Sequence, residues 1–251
     1  MTERSSDKLT EEIKASIRHN LNTIRKALDG TDVTLMAATK TVPVEWINYA
    51  ICQCGLTDIG ENRVQEFNTK YDALEREGVT LHFIGTLQLN KVKYLIGRVD
   101  LIHSLDNIKL AEEISRRSVA KGLVTEALCE VNIGEEEAKG GIPEHEVRDF
   151  LAAVSHLPGL RVRGLMVIGP HCPDVDDYRP FFARTKALFD ALSAEGRFGN
   201  HPILSMGMSD NYALAARYGA TVVRPGTAVF GVRPYQKPTE ASTSAELHKN
   251  Y

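Results

Sequence analysis

The stretch Val33-Thr-Leu-Met-Ala-Ala-Thr-Lys40-Thr41 is the first of a series of short apolar runs that alternate with helical patterns, and this series indicates the fold. It is apolar at successive positions rather than at every second one, as expected for a parallel strand that is covered on both faces. The predicted strands are 33–38, 56–59, 81–84, 101–105, 127–133, 162–168, 203–206 and 221–223. This alternation predicts an α/β protein with a parallel sheet.

Helical patterns separate the strands, but they number one fewer than a closed barrel of eight βα units requires. We predict these helices at 44–54, 61–77, 89–97, 107–121, 144–156, 177–195 and 210–218. An amphipathic helix at 9–28 precedes them and is expected to cover the gap between the last strand and the first. The predicted fold class is therefore α/β, a single (β/α)8 TIM barrel with an extra N-terminal helix. A doubly wound open sheet is the alternative, but it usually has fewer strands and a glycine-rich first turn, and the sequence contains no G-x-G-x-x-G.

Length and composition are those of a globular protein and exclude several classes. The 251 residues are 43% hydrophobic and 25% charged, enough for one sizeable core. A formal charge of -3 argues against nucleic-acid binding, which a basic excess usually accompanies. No run approaches the ~18 apolar residues of a membrane span, and the first residues lack the apolar centre of a signal peptide. We expect a soluble, cytoplasmic monomer with one domain at 1–235 and a polar, disordered tail at 236–251.

Lys40 is the most informative residue at the predicted strand ends, where TIM barrels place their functional groups. An amine held among apolar neighbours has its charged form disfavoured, and the neutral amine attacks carbonyls to form a Schiff base. Aldolases and pyridoxal-phosphate proteins both use such a lysine. The alternative is a lysine that merely extends from the strand end into solvent.

A phosphate cradle is predicted from the last two strand ends. Ser209 lies before the predicted helix 210–218, where free N–H groups favour anions, and Gly226-Thr227 adds a close backbone approach and a hydroxyl. TIM barrels often bind phosphate with the loops after strands seven and eight. The alternative is that Ser209 or Asp210 only caps the helix and Gly226 only makes a turn.

The histidines and cysteines indicate no metal or redox site. The eight histidines include no H-x-x-x-H pair, and Cys52 and Cys54 have a spacing that suits neither a redox pair nor a zinc knuckle. His82 begins the third predicted strand and is expected to be structural.

Several motifs together resemble one known family, the pyridoxal-phosphate homeostasis proteins, which are called YggS in bacteria and PROSC in animals. The resemblance covers about residues 10–234. The motifs are Met36-Ala-Ala-Thr-Lys-Thr-Val-Pro43, Gly60-Glu-Asn-Arg-Val-Gln-Glu66, His82-Phe-Ile-Gly-Thr-Leu-Gln-Leu-Asn-Lys91, Val131-Asn-Ile133 with Lys139-Gly-Gly-Ile142, Arg163-Gly-Leu-Met166, Leu204-Ser-Met-Gly-Met-Ser-Asp210 and Val223-Arg-Pro-Gly-Thr-Ala-Val-Phe-Gly231.

The resemblance implies a barrel like the N-terminal domain of alanine racemase, with pyridoxal 5'-phosphate as cofactor. Lys40 would form the internal aldimine, and Ser209, Gly226 and Thr227 would hold the phosphate. Arg224 would face the pyridine nitrogen, and Asn62 would line the side of the ring. The sequence has Arg224-Pro-Gly where many relatives have Arg-Ile-Gly, which leaves the roles of Arg224 and Gly226 intact.

An arginine at the ring nitrogen favours a carrier over an enzyme. The charged guanidinium disfavours protonation of that nitrogen and makes the cofactor a poorer electron sink. Racemases compensate with a second base from an extra domain, whereas 17 residues follow Pro234 here. We expect a protein of vitamin B6 homeostasis that binds pyridoxal phosphate and delivers it to apo-enzymes, without dedicated turnover. The alternatives are a racemase-like enzyme acting on amino acids and a cofactor-free Schiff-base aldolase.

Overall fold

The computed structural model describes residues 8–134, 140–170 and 172–232. Its strands are β1 Thr34–Ala38, β2 Asp58–Glu61, β3 Thr80–Phe83, β4 Leu101–Leu105, β5 Thr125–Asn132, β6 Ile142–Pro143, β7 Leu160–Val167, β8 Ile203–Ser205 and β9 Val222–Val223. Its α-helices are α1 Glu11–Ala27, α2 Val44–Cys54, α3 Val64–Lys70, α4 Ile108–Ala120, α5 Val147–Val154, α6 Arg179–Ala194, α7 Tyr212–Arg217 and α8 Thr227–Phe230. No helix in these ranges is long and apolar enough to cross a bilayer. The tail predicted at 236–251 lies outside the described residues.

The strands form a closed parallel barrel. The order in the sheet is β4-β3-β2-β1-β9-β8-β7-β5, and β4 also pairs with β5, which closes the ring. Every recorded pairing is parallel. The (β/α)8 prediction is therefore confirmed and the open doubly wound sheet is excluded. The short β6 was not predicted, and it extends the sheet beside β5 outside the ring.

The interior of the barrel is filled by alternate strand residues, because successive side chains point to opposite faces of the sheet. Two small apolar clusters lie there, Met36, Ala38, Ile84 and Val222 in one and Leu101, Leu128 and Met166 in the other. Gly60 makes room for them, since a Cβ at that position would lie 2.4 Å from Met36 Sδ. Buried polar residues, among them His103 and Ser205, lie in the interior as well.

The N-terminal helix α1 covers the junction between the last strand and the first. It packs against α2, which follows β1, and against α8, which follows β9. Arg18 donates to the Tyr49 hydroxyl of α2 at 2.6 Å, and Asn20 Nδ2 donates to Val229 O of α8 at 3.0 Å. The position predicted for this helix is confirmed.

Two predicted helices are shorter than expected. The segment 61–77 is an α-helix only over α3, because Glu61 still belongs to β2 and pairs with Phe83 of β3. The segment 89–97 forms a 3-10 helix, Leu89–Tyr94, rather than an α-helix. The chain turns soon afterwards at Gly97, whose φ of 77° favours glycine.

Candidate functional site

Lys40 lies directly beyond β1, at the carboxyl-terminal rim of the barrel. Two backbone hydrogen bonds hold the end of that strand. Ala38 N–H donates to Pro225 O at 3.0 Å, and Thr39 N–H donates to Gly60 O at 2.9 Å. Lys40 itself is exposed, so apolar side chains do not enclose its amine as the sequence argument supposed. The rim instead presents this residue to solvent, beside the turn that carries Pro225.

A buried ion-pair cluster holds the residues on either side of Lys40. The Lys70 ammonium, on α3, donates to Thr39 O at 2.8 Å, to Glu61 Oε1 at 2.7 Å and to Glu66 Oε1 at 2.6 Å. Glu66 also accepts from Thr41 N–H, and Thr41 has a φ of 61°, a left-handed conformation that a β-branched residue rarely adopts. Burial raises the pKa of Glu61 although Lys70 opposes the shift. The cluster therefore fixes the backbone at the base of Lys40.

The Ser209 hydroxyl binds the first turn of α8, which corrects the sequence prediction. Ser209 Oγ accepts from Gly226 N–H and from Ala228 N–H, each at 3.1 Å. The prediction had placed Ser209 at the start of helix 210–218, but α7 begins only at Tyr212 and has no side-chain cap. The loops after β8 and β9 are thus joined through one hydroxyl. Because both N–H groups already donate to Ser209 Oγ, the hydrogen of the Ser209 hydroxyl is what this turn can offer to an anionic oxygen.

Gly226 allows this turn to lie next to the end of β1. A Cβ on Gly226 would lie 3.3 Å from both Ala38 Cβ and Ala38 O, so the glycine permits a close approach of the two strand ends. Thr227 is exposed at the start of α8 and offers a further hydroxyl. The structure therefore brings Ser209, Gly226 and Thr227 together within a short distance of the residue that precedes Thr39-Lys40.

Arg224 is buried, with only 5% of its surface exposed. Its guanidinium donates through Nη1 to Ser205 Oγ at 2.7 Å and through Nη2 to Val167 O at 2.8 Å. Burial lowers its pKa to about 10, and Glu130 opposes the shift. Arg224 therefore remains a cation at neutral pH, and a guanidinium has five N–H groups, so it can donate to a further acceptor.

Asn62 follows β2 at the same rim and carries a buried atom that needs a partner. Its Oδ1 is inaccessible to solvent and has no hydrogen-bond partner among the described residues. The backbone here is crowded, since a Cβ on Gly85 would lie 2.0 Å from Asn62 O. A buried polar atom without a partner is costly in a finished interior. It is consistent with a side chain that contacts a polar ligand.

An acidic pair that the sequence did not reveal, Asp106 and Glu130, lies at the same end of the barrel. Burial, together with the charge of Asp106, raises the pKa of Glu130 on β5 to about 7, and Arg224 opposes the shift. A Cβ on Gly140 would lie 3.7 Å from Asp106 Oδ2 and 3.9 Å from Glu130 Oε1, which places both carboxyls beside the loop that leads into β6. The sequence pattern that indicates this pair is the alternation within the predicted strand 127–133, where Glu130 and Asn132 share a face of an otherwise apolar strand.

These groups fit the parts of pyridoxal phosphate. A phosphate requires donors, and the hydroxyls of Ser209 and Thr227 supply them beside the turn that Gly226 and Ala228 form. An aldehyde requires an amine, which Lys40 supplies, and a pyridine nitrogen accepts from a donor such as the Arg224 guanidinium. The unpartnered Asn62 Oδ1 is available to a polar group at the edge of the ring.

Comparison with known sequences gives one consistent family. The model of the alanine racemase N-terminal domain matches residues 14–234. The pyridoxal phosphate homeostasis protein of Aquifex aeolicus is 47% identical over 201 residues, which are 80% of this chain and 87% of that protein. The protein of the same name from Escherichia coli K12 is 35% identical over 233 residues, which cover 88% and 98% of the two chains.

A solved structure agrees with these sequence relatives. PipY of Synechococcus elongatus PCC7942, solved with PLP bound, is 32% identical and superposes with a TM-score of 0.78. The superposition covers 86% of this chain and 100% of that one.

Proposed function

Because this chain belongs to the alanine racemase N-terminal domain family, and within it to the pyridoxal phosphate homeostasis proteins, we propose that it binds pyridoxal 5'-phosphate (PLP) at the carboxyl-terminal rim of its barrel. It holds the aldehyde of PLP covalently on Lys40 as a Schiff base. It serves vitamin B6 homeostasis in the cytoplasm as a monomeric carrier that passes PLP to apo-enzymes.

The observation that carries the proposal is the Ser209 hydroxyl, which the N–H groups of Gly226 and Ala228 hold beside the end of β1. This hydroxyl and the exposed Thr227 donate to the phosphate and fix the distance of the ring from the strand end. The backbone at Lys40 is held in turn by Lys70 through Thr39 O. The phosphate and the aldehyde are therefore bound by separate elements, the first turn of α8 and the end of β1, which lie next to each other at the rim.

Arg224 decides what kind of PLP protein this is. When bound, PLP supplies an electrophilic aldehyde and a ring that can act as an electron sink. The Arg224 guanidinium, anchored on Ser205 and Val167, donates to the ring nitrogen and, as a cation, disfavours a proton there. Arg224 thereby weakens the electron sink, which suits storage better than turnover.

The exposure of Lys40 supports delivery. Transfer of PLP would require that another amine bond to the carbon held by Lys40 and release the Lys40 amine, and Lys40 is exposed at the rim rather than enclosed. The chemical class of the partner follows from this transfer, since the acceptor is an apo-enzyme with its own reactive lysine.

Titration of the apo-protein with PLP tests the proposal. We expect a visible absorption band that saturates at one PLP per chain, and loss of that band in Lys40→Ala. Lys109→Ala, which removes an exposed lysine of α4, is the matched control and should leave the band unchanged. Mixing the loaded protein with an apo-enzyme should restore that enzyme faster than the same concentration of free PLP does. Failure of the first step rejects PLP binding, and failure of the second alone rejects delivery.

A further inference from the structure

A chain of hydrogen bonds crosses the interior of the barrel between Asp58 and Arg224. Asp58 Oδ1 lies 3.1 Å from His82 Nε2, and His82 Nδ1 lies 2.9 Å from His103 Nε2. His103 Nδ1 lies 3.0 Å from Ser205 Oγ, which accepts from Arg224 Nη1 at 2.7 Å. His82, His103 and Ser205 are all buried. The chain thus links β2, β3, β4 and β8 to the residue that follows β9.

The two ends of the chain lie on opposite faces of the barrel. Asp58 begins β2, is partly exposed, and lines a cavity of about 390 Å³ at the amino-terminal face together with Asp29. Arg224 follows β9 at the carboxyl-terminal face. The hydrogen bonds therefore connect the two faces through interior positions that branched apolar residues usually occupy in a TIM barrel.

When both rings are neutral, the charges at the ends dictate the direction of every bond. A carboxylate only accepts, so His82 must carry its proton on Nε2 to bond Asp58. A neutral His82 then has a bare Nδ1, which requires a proton on His103 Nε2. A neutral His103 in turn has a bare Nδ1, which requires the Ser205 hydroxyl to donate to it. Ser205 is then left with lone pairs for Arg224, which only donates.

Burial keeps His103, in the middle of this series of hydrogen bonds, neutral. It lowers the pKa of His103 well below its usual value, and the positive charge of Arg224 acts in the same direction. The rings of His82 and His103 lie edge to face, with centroids 5.1 Å apart, so two imidazolium ions there would repel strongly. Neutral rings with one proton each satisfy all four bonds.

We propose that Asp58 is a positioning residue for Arg224, acting across the barrel through His82, His103 and Ser205. By fixing the proton on Nε2 of both histidines, Asp58 turns the Ser205 hydroxyl towards His103 and its lone pairs towards Arg224. The guanidinium is thereby held in one orientation as a cation and donor. For the cofactor, this inference rests on the proposed function, because Arg224 is assigned there to the ring nitrogen.

Replacing Asp58 by asparagine tests the direction of the chain without PLP. An amide can donate as well as accept, so Asp58→Asn permits the opposite proton arrangement in both histidines. In the parent apo-protein, ¹⁵N NMR should show His82 and His103 neutral with bare Nδ1 atoms, and in Asp58→Asn the Nδ1 of His103 should become partly protonated. Asp29→Asn removes a carboxylate from the same cavity and should leave both rings unchanged. A cationic His82 in the parent, or unchanged tautomers in Asp58→Asn, would overturn the proposal.

Cofactor binding provides the second readout. Ser205→Ala removes the link between His103 and Arg224, and we expect it to raise the Kd for PLP about 2–30-fold, the range for substitutions within a coupled network. Asp58→Asn should move Kd in the same direction and shift the visible band, whereas Ser104→Ala, which removes a buried hydroxyl of β4 outside the chain, should do neither. Equal effects of Ser104→Ala and Ser205→Ala would show that the loss of packing, and not the loss of the hydrogen bonds, changes the affinity. If neither the parent nor any variant binds PLP, the proposed function is wrong. The NMR result on the apo-protein still tests the role of Asp58 in that case.

Discussion

Ser209 Oγ accepts a hydrogen bond from Gly226 N–H at 3.1 Å and so joins the loops that follow the last two strands of the barrel. The same oxygen accepts from Ala228 N–H, which organises the first turn of α8. This hydroxyl shapes the turn, and under the proposed function it also binds the phosphate of PLP. The two roles make different predictions when the hydroxyl is removed.

Ser209→Ala should weaken PLP binding by about 1.5–3 kcal/mol, the range for a hydrogen bond to a charged group. Lys40 remains, so the visible band should still form at high PLP concentration. Equilibrium titration by absorbance measures the change, and Ser193→Ala, whose hydroxyl bonds Phe189 O on α6, is the matched control. Unchanged affinity in Ser209→Ala would leave this serine with its role in shaping the turn alone.

Lys70→Met should lower the free energy of unfolding by about 3–5 kcal/mol, because it leaves Glu61 buried without its cation. Glu61 is 3% exposed, and Lys70 is its ion-pair partner at 2.7 Å. Urea unfolding measures the loss, and adding Glu61→Gln to Lys70→Met should recover part of it. Lys186→Met breaks an exposed pair with Asp190 and should cost less than about 1 kcal/mol. Equal losses in the two lysine variants would show that burial of the cluster is unimportant.

Glu130 should make the protein less stable as the pH rises. Its pKa is raised from 4.5 to about 7 in the folded protein, so folding favours the protonated carboxyl. That contribution is complete below the unfolded pKa and is lost as the pH rises through about 7, by an amount on the order of 1–3 kcal/mol. Glu130→Gln, which cannot ionise, should therefore gain stability relative to the parent between about pH 5 and about pH 8. Urea unfolding at several pH values checks this, with exposed Glu112→Gln as control, and parallel curves for parent and Glu130→Gln would contradict it.

The carrier proposal predicts little chemistry on amino acids. The parent protein loaded with PLP should exchange the α-hydrogen of alanine for solvent deuterium no faster than free PLP at equal concentration. NMR in deuterated buffer measures the exchange. Rapid exchange or racemisation would instead support the racemase-like alternative.

Many strands and helices could be predicted because the sequence signals for them are local. The helix predicted at 44–54 is α2 over the same residues, since Pro43 precedes it and Gly55 ends it with a φ of 63°. The run that ends before Lys40 reads as a parallel strand because both of its faces are buried. Such signals need no knowledge of which strands are neighbours.

The polar network could not be predicted because its contacts depend on strand register. His82 was expected to be structural, and its partner His103 is reached only once β3 and β4 pair with His82 beside Leu101. Ser205 lies 102 residues further along the chain from His103. Ser209 was assigned to the wrong helix for a related reason. The helix it contacts, α8, has four residues, too short for any periodic signal.

Borohydride reduction tests whether PLP is attached covalently to Lys40, on which the proposed carrier function depends. Reduction of the loaded protein, followed by proteolysis and mass spectrometry, should yield one modified peptide, with the added pyridoxyl phosphate group on Lys40. The modification should be absent when the same treatment is applied to Lys40→Ala. A reduced adduct on another lysine as the main product, or a visible band without any adduct on Lys40, would contradict the account.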